Sequence, residues 1–227
     1  MGSQKFKVVF FDVHETLIYI KQRPAEIFTE LCMEAGEEVS LEAVQNVYPD
    51  RTERDRRHSN HVGSGNFWEE LNSNLLDELS IFDSENSLAK KLVSGFLEDR
   101  WWTTYEDAIP TLIELKKQRY KLGVIANALH VLEGRLNHTG LTSHFDSITY
   151  SEEVGVAKPH PKIFHVAMES IGCLPNEAVH IGDRWKEDIE GASAVGIKPI
   201  FLDRESVRPD VDVWRVQSLS EISELIR

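Results

Sequence analysis

Lys7-Val8-Val9-Phe10-Phe11-Asp12-Val13-His14-Glu15-Thr16-Leu17 starts as an apolar strand and turns polar abruptly. Val8 to Phe11 is an uninterrupted run of β-branched and aromatic residues. Such a run suits a strand covered on both faces, as in a parallel sheet. It stops at Asp12. A charge directly after a buried strand is costly unless the strand ends there and the charge is paired. In open α/β sheets, ligands sit outside the carboxyl ends of the strands, so Asp12 stands where chemistry would be. It equally suits a strand end that bonds its own turn through the side chain. On this stretch alone the two readings are balanced.

The rest of the chain shifts that balance. From Tyr105 onward, helices and strands alternate. The patterns predict a helix over 106–118, a strand over 121–126 with Asn127 at its carboxyl end, a helix to His138 and a strand over 147–150. A loop carrying Lys158 and a helix over 161–171 follow. The next strand, 178–181, ends in Gly182-Asp183. A short helix over 187–195, strands over 199–202 and 211–216, and a helix over 220–226 complete the chain. This alternation implies an α/β fold, a doubly wound parallel sheet with right-handed crossovers.

Between the first strand and this run, Pro24 to about Arg100 shows helical periodicity and no strand pattern. Pro24 suits a first helical turn, with Ile27, Phe28, Leu31 and Cys32 on one face. Ser40 suits an N-cap ahead of Leu41, Val44 and Val47, with Pro49 ending that helix. Asn66 would cap a third helix and Ser84 would precede a fourth. Four such helices with short loops make a small antiparallel bundle. The expected domains are therefore a core of residues 1–20 and 101–227, and an inserted helical cap of residues 21–100.

With 227 residues, 41% hydrophobic and 28% charged, the chain is globular and long enough to bury a sizeable core. Its net charge of −13 argues against nucleic-acid binding and leaves any phosphate site dependent on local cations. One local basic cluster exists, Arg51, Arg54, Arg56, Arg57, His58 and His61, followed by Gly63-Ser64-Gly65. It reads as a solvated helix face paired with Glu53 and Asp55, or, slightly less favoured, as an anion-binding or specificity loop. Trp68, Trp101 and Trp102 read as packing residues. Cys32 and Cys173 make no metal or redox pattern and read as buried free thiols, which fits a cytoplasmic protein. No apolar run approaches membrane-spanning length, so no membrane partner is expected. The sequence sets no oligomeric state.

Four segments carry a family resemblance: F-F-D-V-H-E-T-L (10–17), G-V-I-A-N (123–127), G-V-A-K-P-H-P-K-I-F (155–164) and H-I-G-D-R-W-K-E-D-I-E-G-A (180–192). In order, and over essentially the whole chain, they resemble the haloacid dehalogenase superfamily of hydrolases with a helical cap inserted after the first motif. The resemblance implies that Asp12 is a nucleophile forming an aspartyl-phosphate. It implies that Lys158 neutralises Asp12 and the incoming phosphoryl group. It makes Asp183 a Mg²⁺ ligand, with Asp188 its neighbour in the same acidic motif and the main-chain carbonyl of His14 a further ligand. Asn127 would position the substrate, a small phosphorylated molecule.

Two positions depart from the phosphatase pattern. His14 stands where a second Asp usually protonates the leaving group. An imidazole with an ordinary pKa of about 6.5 is suited to that work near neutral pH. Ala126 stands where a Ser or Thr usually meets the phosphoryl oxygens. A hydrogen bond to a charged group is worth roughly 1.5–3 kcal/mol, so its loss costs about tenfold or more in binding or rate. Three readings follow. A Mg²⁺-dependent phosphatase ranks first. A catalytically impaired binding or regulatory protein on the same fold ranks close behind. A dehalogenase-like hydrolase ranks last, because the G-D-x-x-x-x-D pattern at 182–188 is of the phosphatase type.

Overall fold

A computed structural model describes residues 6–49, 67–208 and 210–227. In chain order the strands are β1 (Val8–Phe11), β2 (Ile18–Ile20), β3 (Trp102–Thr104), β4 (Lys121–Ala126), β5 (Ser147–Tyr150), β6 (Ala178–Gly182), β7 (Lys198–Leu202) and β8 (Trp214–Val216). The helices are α1 (Pro24–Glu34), α2 (Leu41–Val47), α3 (Phe67–Glu78), α4 (Ser87–Phe96), α5 (Ala108–Lys117), α6 (Leu132–His138), α7 (Ser151–Val154), α8 (Pro161–Ile171), α9 (Gly191–Ala194) and α10 (Ile222–Leu225).

β1 is buried at all four positions because a parallel neighbour lies on each side, β4 and β6. The six-stranded sheet runs β5-β4-β1-β6-β7-β8, with every pairing parallel. With its flanking helices this is the α/β, Rossmann-like fold expected from the alternation. α8 packs on β4 and β5. Its apolar face, Ile163, Phe164, Ala167 and Met168, meets Phe10 and Ile125 in one buried cluster.

Contacts divide the chain into two compact units, Met1–Tyr19 with Trp102–Arg227, and Ile20–Trp101. In the second unit, α1 packs on α2 and α4, and α3 packs on α4. Ile27, Phe28, Leu31, Cys32, Val44, Leu71, Leu75, Leu76 and Leu92 are buried, as helical spacing predicts. Pro24 occupies the first turn of α1, and the Ser40 side chain caps α2 by accepting from Ala43 N–H. The basic stretch 51–61, Gly63-Ser64-Gly65 and the expected Asn66 cap lie outside the described residues.

Several boundaries differ from the sequence patterns. β2 and β3 form a two-stranded sheet that no pattern marks, because three residues each are too few for a period to register. α4 starts at Ser87 because the Asp83 carboxylate accepts from Leu88 and Ala89 N–H, fixing the first turn there. The helix expected over 187–195 begins two residues earlier, as one π-helical stretch (Trp185–Glu190) that continues into α9. β8 keeps only the last three residues of the run expected over 211–216. Trp101 and Trp102 are buried, but Trp68 is 47% exposed and packs only partly. Cys32 is a buried thiol, while Cys173 is half-buried.

Candidate active site

Asp12, Asn127 and Asp183 each directly follow a strand, and those strands, β1, β4 and β6, are adjacent. β1 is also where the winding of the sheet reverses direction, the place where open α/β sheets form a crevice. Lys158 arrives from the loop between α7 and α8. Its ammonium donates to Asp12 Oδ1 (2.7 Å), Asp188 Oδ1 (2.5 Å) and the Ile125 carbonyl (2.7 Å), so all three N–H bonds have acceptors. The loop itself is clasped by Asn127. Its Oδ1 accepts from Lys158 N–H (2.6 Å) and its Nδ2 donates to the Lys158 carbonyl (3.0 Å). Each end of that amide spends one hydrogen bond on holding the lysine.

Asp188 sits inside the π-helical stretch, a distortion frequent at functional sites. Its Oδ1 also meets His180 Nε2 at 3.0 Å, and its Oδ2 accepts from Arg184 N–H at 3.0 Å. Gly182 makes the close approach possible. A Cβ there would lie 2.2 Å from Asp188 Cγ, so any side chain at 182 would expel the carboxylate.

Burial sets the charges. Removal from water pushes the Asp12 carboxyl up to about 6. Lys158 opposes that shift and the Asp188 charge adds to it. Asp183 is pushed up to about 7 by burial, and then by the charges of Asp12 and Asp188. Burial would lower the Lys158 ammonium, but the Asp12 and Asp188 carboxylates more than offset it and hold it above its ordinary value. Burial would likewise raise Asp188, but Lys158 and the His180 hydrogen bond hold it well below the carboxylate range.

These groups suit a hard divalent cation. Asp12, Asp183 and Asp188 offer oxygens within 4.8 Å of one another. Asp183 Oδ1 is buried with no hydrogen-bond partner among the described residues. A carboxylate oxygen without a partner, beside a second carboxyl that burial and neighbouring negative charge also push up, is the environment a Mg²⁺-sized cation relieves. Asp188 already receives three protein donors, which leaves one of its four lone-pair sites open.

The surroundings of the His14 side chain disfavour its charged form. Its Nε2 lies 3.2 Å from Arg135 Nη1. A guanidinium can only donate, so Nε2 accepts and carries no proton. Burial and then the charges of Arg135, Lys158 and Arg184 push His14 down to about 3. The same guanidinium lies over the Trp102 ring, 4.4 Å from its centroid, and the His14 ring is 4.8 Å from that centroid. His14 is therefore a neutral acceptor in this arrangement. Ala126 is fully buried and brings no hydroxyl.

The structure brings Asp12, Lys158 and Asp188 into one bonded array, with Asp183 beside it and Asn127 behind the lysine. Reading the sequence missed His180 and Arg135. His180 had a usable signal, a lone polar residue inside the apolar run 178–181. Arg135 had none, because its partner His14 is 121 residues away.

A model of haloacid dehalogenase-like hydrolases matches residues 6–196. The chain belongs to this family. Among curated relatives of these hydrolases, it is 30% identical to glyceraldehyde 3-phosphate phosphatase from Methanopyrus kandleri over 97% of both chains. It is 27% identical to haloacid dehalogenase-like hydrolase domain-containing protein 3 from Danio rerio, over 96% of this chain and 93% of that one. Among solved structures, magnesium-bound YfnB from Bacillus subtilis superposes with a TM-score of 0.77 at 20% identity, covering 98% of this chain and 99% of that one, which shows the shared fold.

Proposed function

We propose that this haloacid dehalogenase-like hydrolase is a Mg²⁺-dependent phosphatase acting on a small phosphorylated metabolite through Asp12. The observation that carries the reading is the buried Asp12–Lys158–Asp188 array beside the unpartnered Asp183 oxygen. A structural ion pair needs no third carboxylate with an orphan oxygen, whereas a metal-assisted nucleophile does. The names of the two Methanopyrus kandleri and Methanothermobacter thermautotrophicus relatives, both glyceraldehyde 3-phosphate phosphatases, support a phosphate ester of that size. No described helix is long and apolar enough to cross a membrane.

In this reading Asp12 attacks phosphorus, the ester oxygen leaves, and water then attacks phosphorus to return the carboxylate and release phosphate. Lys158 steadies the Asp12 charge and, clasped by Asn127, keeps its ammonium aimed at the reacting carboxylate. Asp12, Asp183 and the His14 main-chain carbonyl would hold Mg²⁺, with Asp188 alongside, and the cation would supply charge neutralisation at the phosphoryl oxygens. His14 donates no proton to the leaving oxygen. The site therefore favours esters whose leaving group departs with little protonation. The family resemblance assigns substrate selection to the inserted helical unit.

A second reading, a binding protein with little or no turnover, is favoured by the neutral His14 and the missing hydroxyl at Ala126. A phosphate-release screen over phosphorylated metabolites, with and without Mg²⁺ and with Asp12→Asn as blank, separates the two. The phosphatase reading expects Mg²⁺-dependent release that Asp12→Asn abolishes. Saturable binding with no release would favour the binding protein.

A further inference from the structure

His180 lies in the middle of β6, wholly buried, and none of the roles above uses it. A polar ring inside a parallel sheet costs free energy unless it is hydrogen-bonded. Its Nε2 is 3.0 Å from Asp188 Oδ1, and its face or edge toward the core is closed by Phe164, with ring centroids 5.6 Å apart at 89°. The facing oxygen belongs to an ionised carboxylate that also accepts from Lys158, so Nε2 must carry the proton. Nδ1 has no partner among the described residues, as suits a bare acceptor better than a second buried N–H.

We propose that His180 is a positioning residue, which fixes Asp188 so that Asp188 holds Lys158 against Asp12. A carboxylate turns easily about its last torsion. Two anchors of different origin stop that rotation here, the His180 ring on Oδ1 and the Arg184 N–H on Oδ2. The strand supplies the first and the turn after it the second. The chain of contacts then runs without a gap from the sheet interior to the reacting carboxylate: 3.0 Å to Asp188, 2.5 Å on to Lys158 and 2.7 Å on to Asp12. The kinetic part of this proposal rests on the phosphatase reading, while its structural part does not.

The test combines ¹⁵N NMR with kinetics on the full chain. In the wild type, imidazole nitrogen shifts should place the His180 proton on Nε2, and the Lys158 ammonium, assigned with Lys158→Met, should exchange slowly. His180→Phe removes the donor. It should speed ammonium exchange and lower kcat on p-nitrophenyl phosphate with Mg²⁺ by about 10–100-fold, the range for groups that orient a site's ligands, with KM moving much less. His180→Gln, whose amide N–H extends about as far as Nε2, should restore most of both, which a purely packing role would not predict. A wild-type proton on Nδ1 overturns the proposal. So does a folded His180→Phe with unchanged exchange and kcat, or a His180→Gln no better than His180→Phe. Should His180→Phe not fold, the wild-type tautomer and the Gln variant still decide. If the wild type turns over no phosphate ester, the phosphatase reading fails, and the tautomer and ammonium exchange still judge this one.

Discussion

Two buried cations flank the segment from Asp12 to His14, and they act in opposite senses. Lys158 is held between the Asp12 and Asp188 carboxylates, at 2.7 and 2.5 Å. Arg135 lies against the His14 imidazole and over the Trp102 ring. The lysine keeps charged a pair of groups that burial would otherwise neutralise. Burial, and then the arginine, keep uncharged a ring that water would let ionise near neutral pH. One side of the site is arranged around ionised oxygens, as nucleophile and metal chemistry require. The other side is arranged to withhold a proton. Within two residues of chain, burial together with neighbouring charge, and not residue type alone, decides which group can react.

The largest effect should come from breaking the lysine side. Lys158→Met should lower turnover by about 10²–10³-fold, the range for removing a preorganised charge-stabilising donor. It should also destabilise the fold by about 3–5 kcal/mol, because it leaves buried carboxylates uncompensated. Denaturant unfolding beside steady-state kinetics reads both. Equal stability in wild type and variant would show that the array is not held as an ion pair.

The arginine side is sharpened by refilling it with a carboxylate. His14→Asp with Ala126→Ser should raise turnover of a generic alkyl phosphate by about 10²-fold, the low end for a placed general acid. The gain should shrink with activated leaving groups and vanish with Asp12→Asn. A folded, Mg²⁺-binding double variant without turnover above that blank would favour the binding-protein reading. Arg135→Met should cost far less in kcat than Lys158→Met. By removing a positive neighbour it should raise the proton affinity of His14, followed by NMR, and a fall would contradict the assigned contact.

How far the site was legible follows from where its partners lie in the chain. Asp12, Asn127 and Asp183 could be read because each interrupts an apolar strand at its carboxyl end, a local signal. Lys158 could be placed because its segment matched a family pattern. What each group does was less legible. Asn127 suggested a substrate contact; what the sequence did not show is that each end of its amide also spends one bond on the Lys158 backbone. His14 suggested an acid, but its approach to Arg135 arises only when the fold brings α6 to the segment after β1. The fold was read more completely than the site. A parallel sheet writes its strands as apolar runs, whereas β2 and β3, three residues each, are too short to leave a pattern.

The smallest expected effect lies away from the site and tests the core unit alone. Asp107 accepts from both terminal nitrogens of Arg204, from Ser218 Oγ and from Leu219 N–H. Burial would raise its carboxyl, but these donors more than offset it and hold it below the ordinary 3.8. Its folded pKa is depressed. Its contribution is therefore fully present above the unfolded value and is lost as pH falls through the folded one. Asp107→Asn should cost about 1.5–3 kcal/mol at pH 7, the worth of hydrogen bonds to a charged group. The difference from wild type should narrow below pH 4 in thermal unfolding. A difference constant down to pH 2 would contradict the assignment.

The central claim is that Asp12 attacks phosphorus and that water then attacks phosphorus, not the Asp12 carbonyl. A single turnover in ¹⁸O-water, with enzyme in excess over a substrate found in the metabolite screen and Mg²⁺ present, tests it most directly. The released phosphate and the peptide containing Asp12 are then weighed by mass spectrometry. The account predicts one ¹⁸O in the phosphate and none in Asp12. Label in the Asp12 carboxylate would mean that an ester is opened at its carbonyl, as in dehalogenase-type chemistry, and would contradict it.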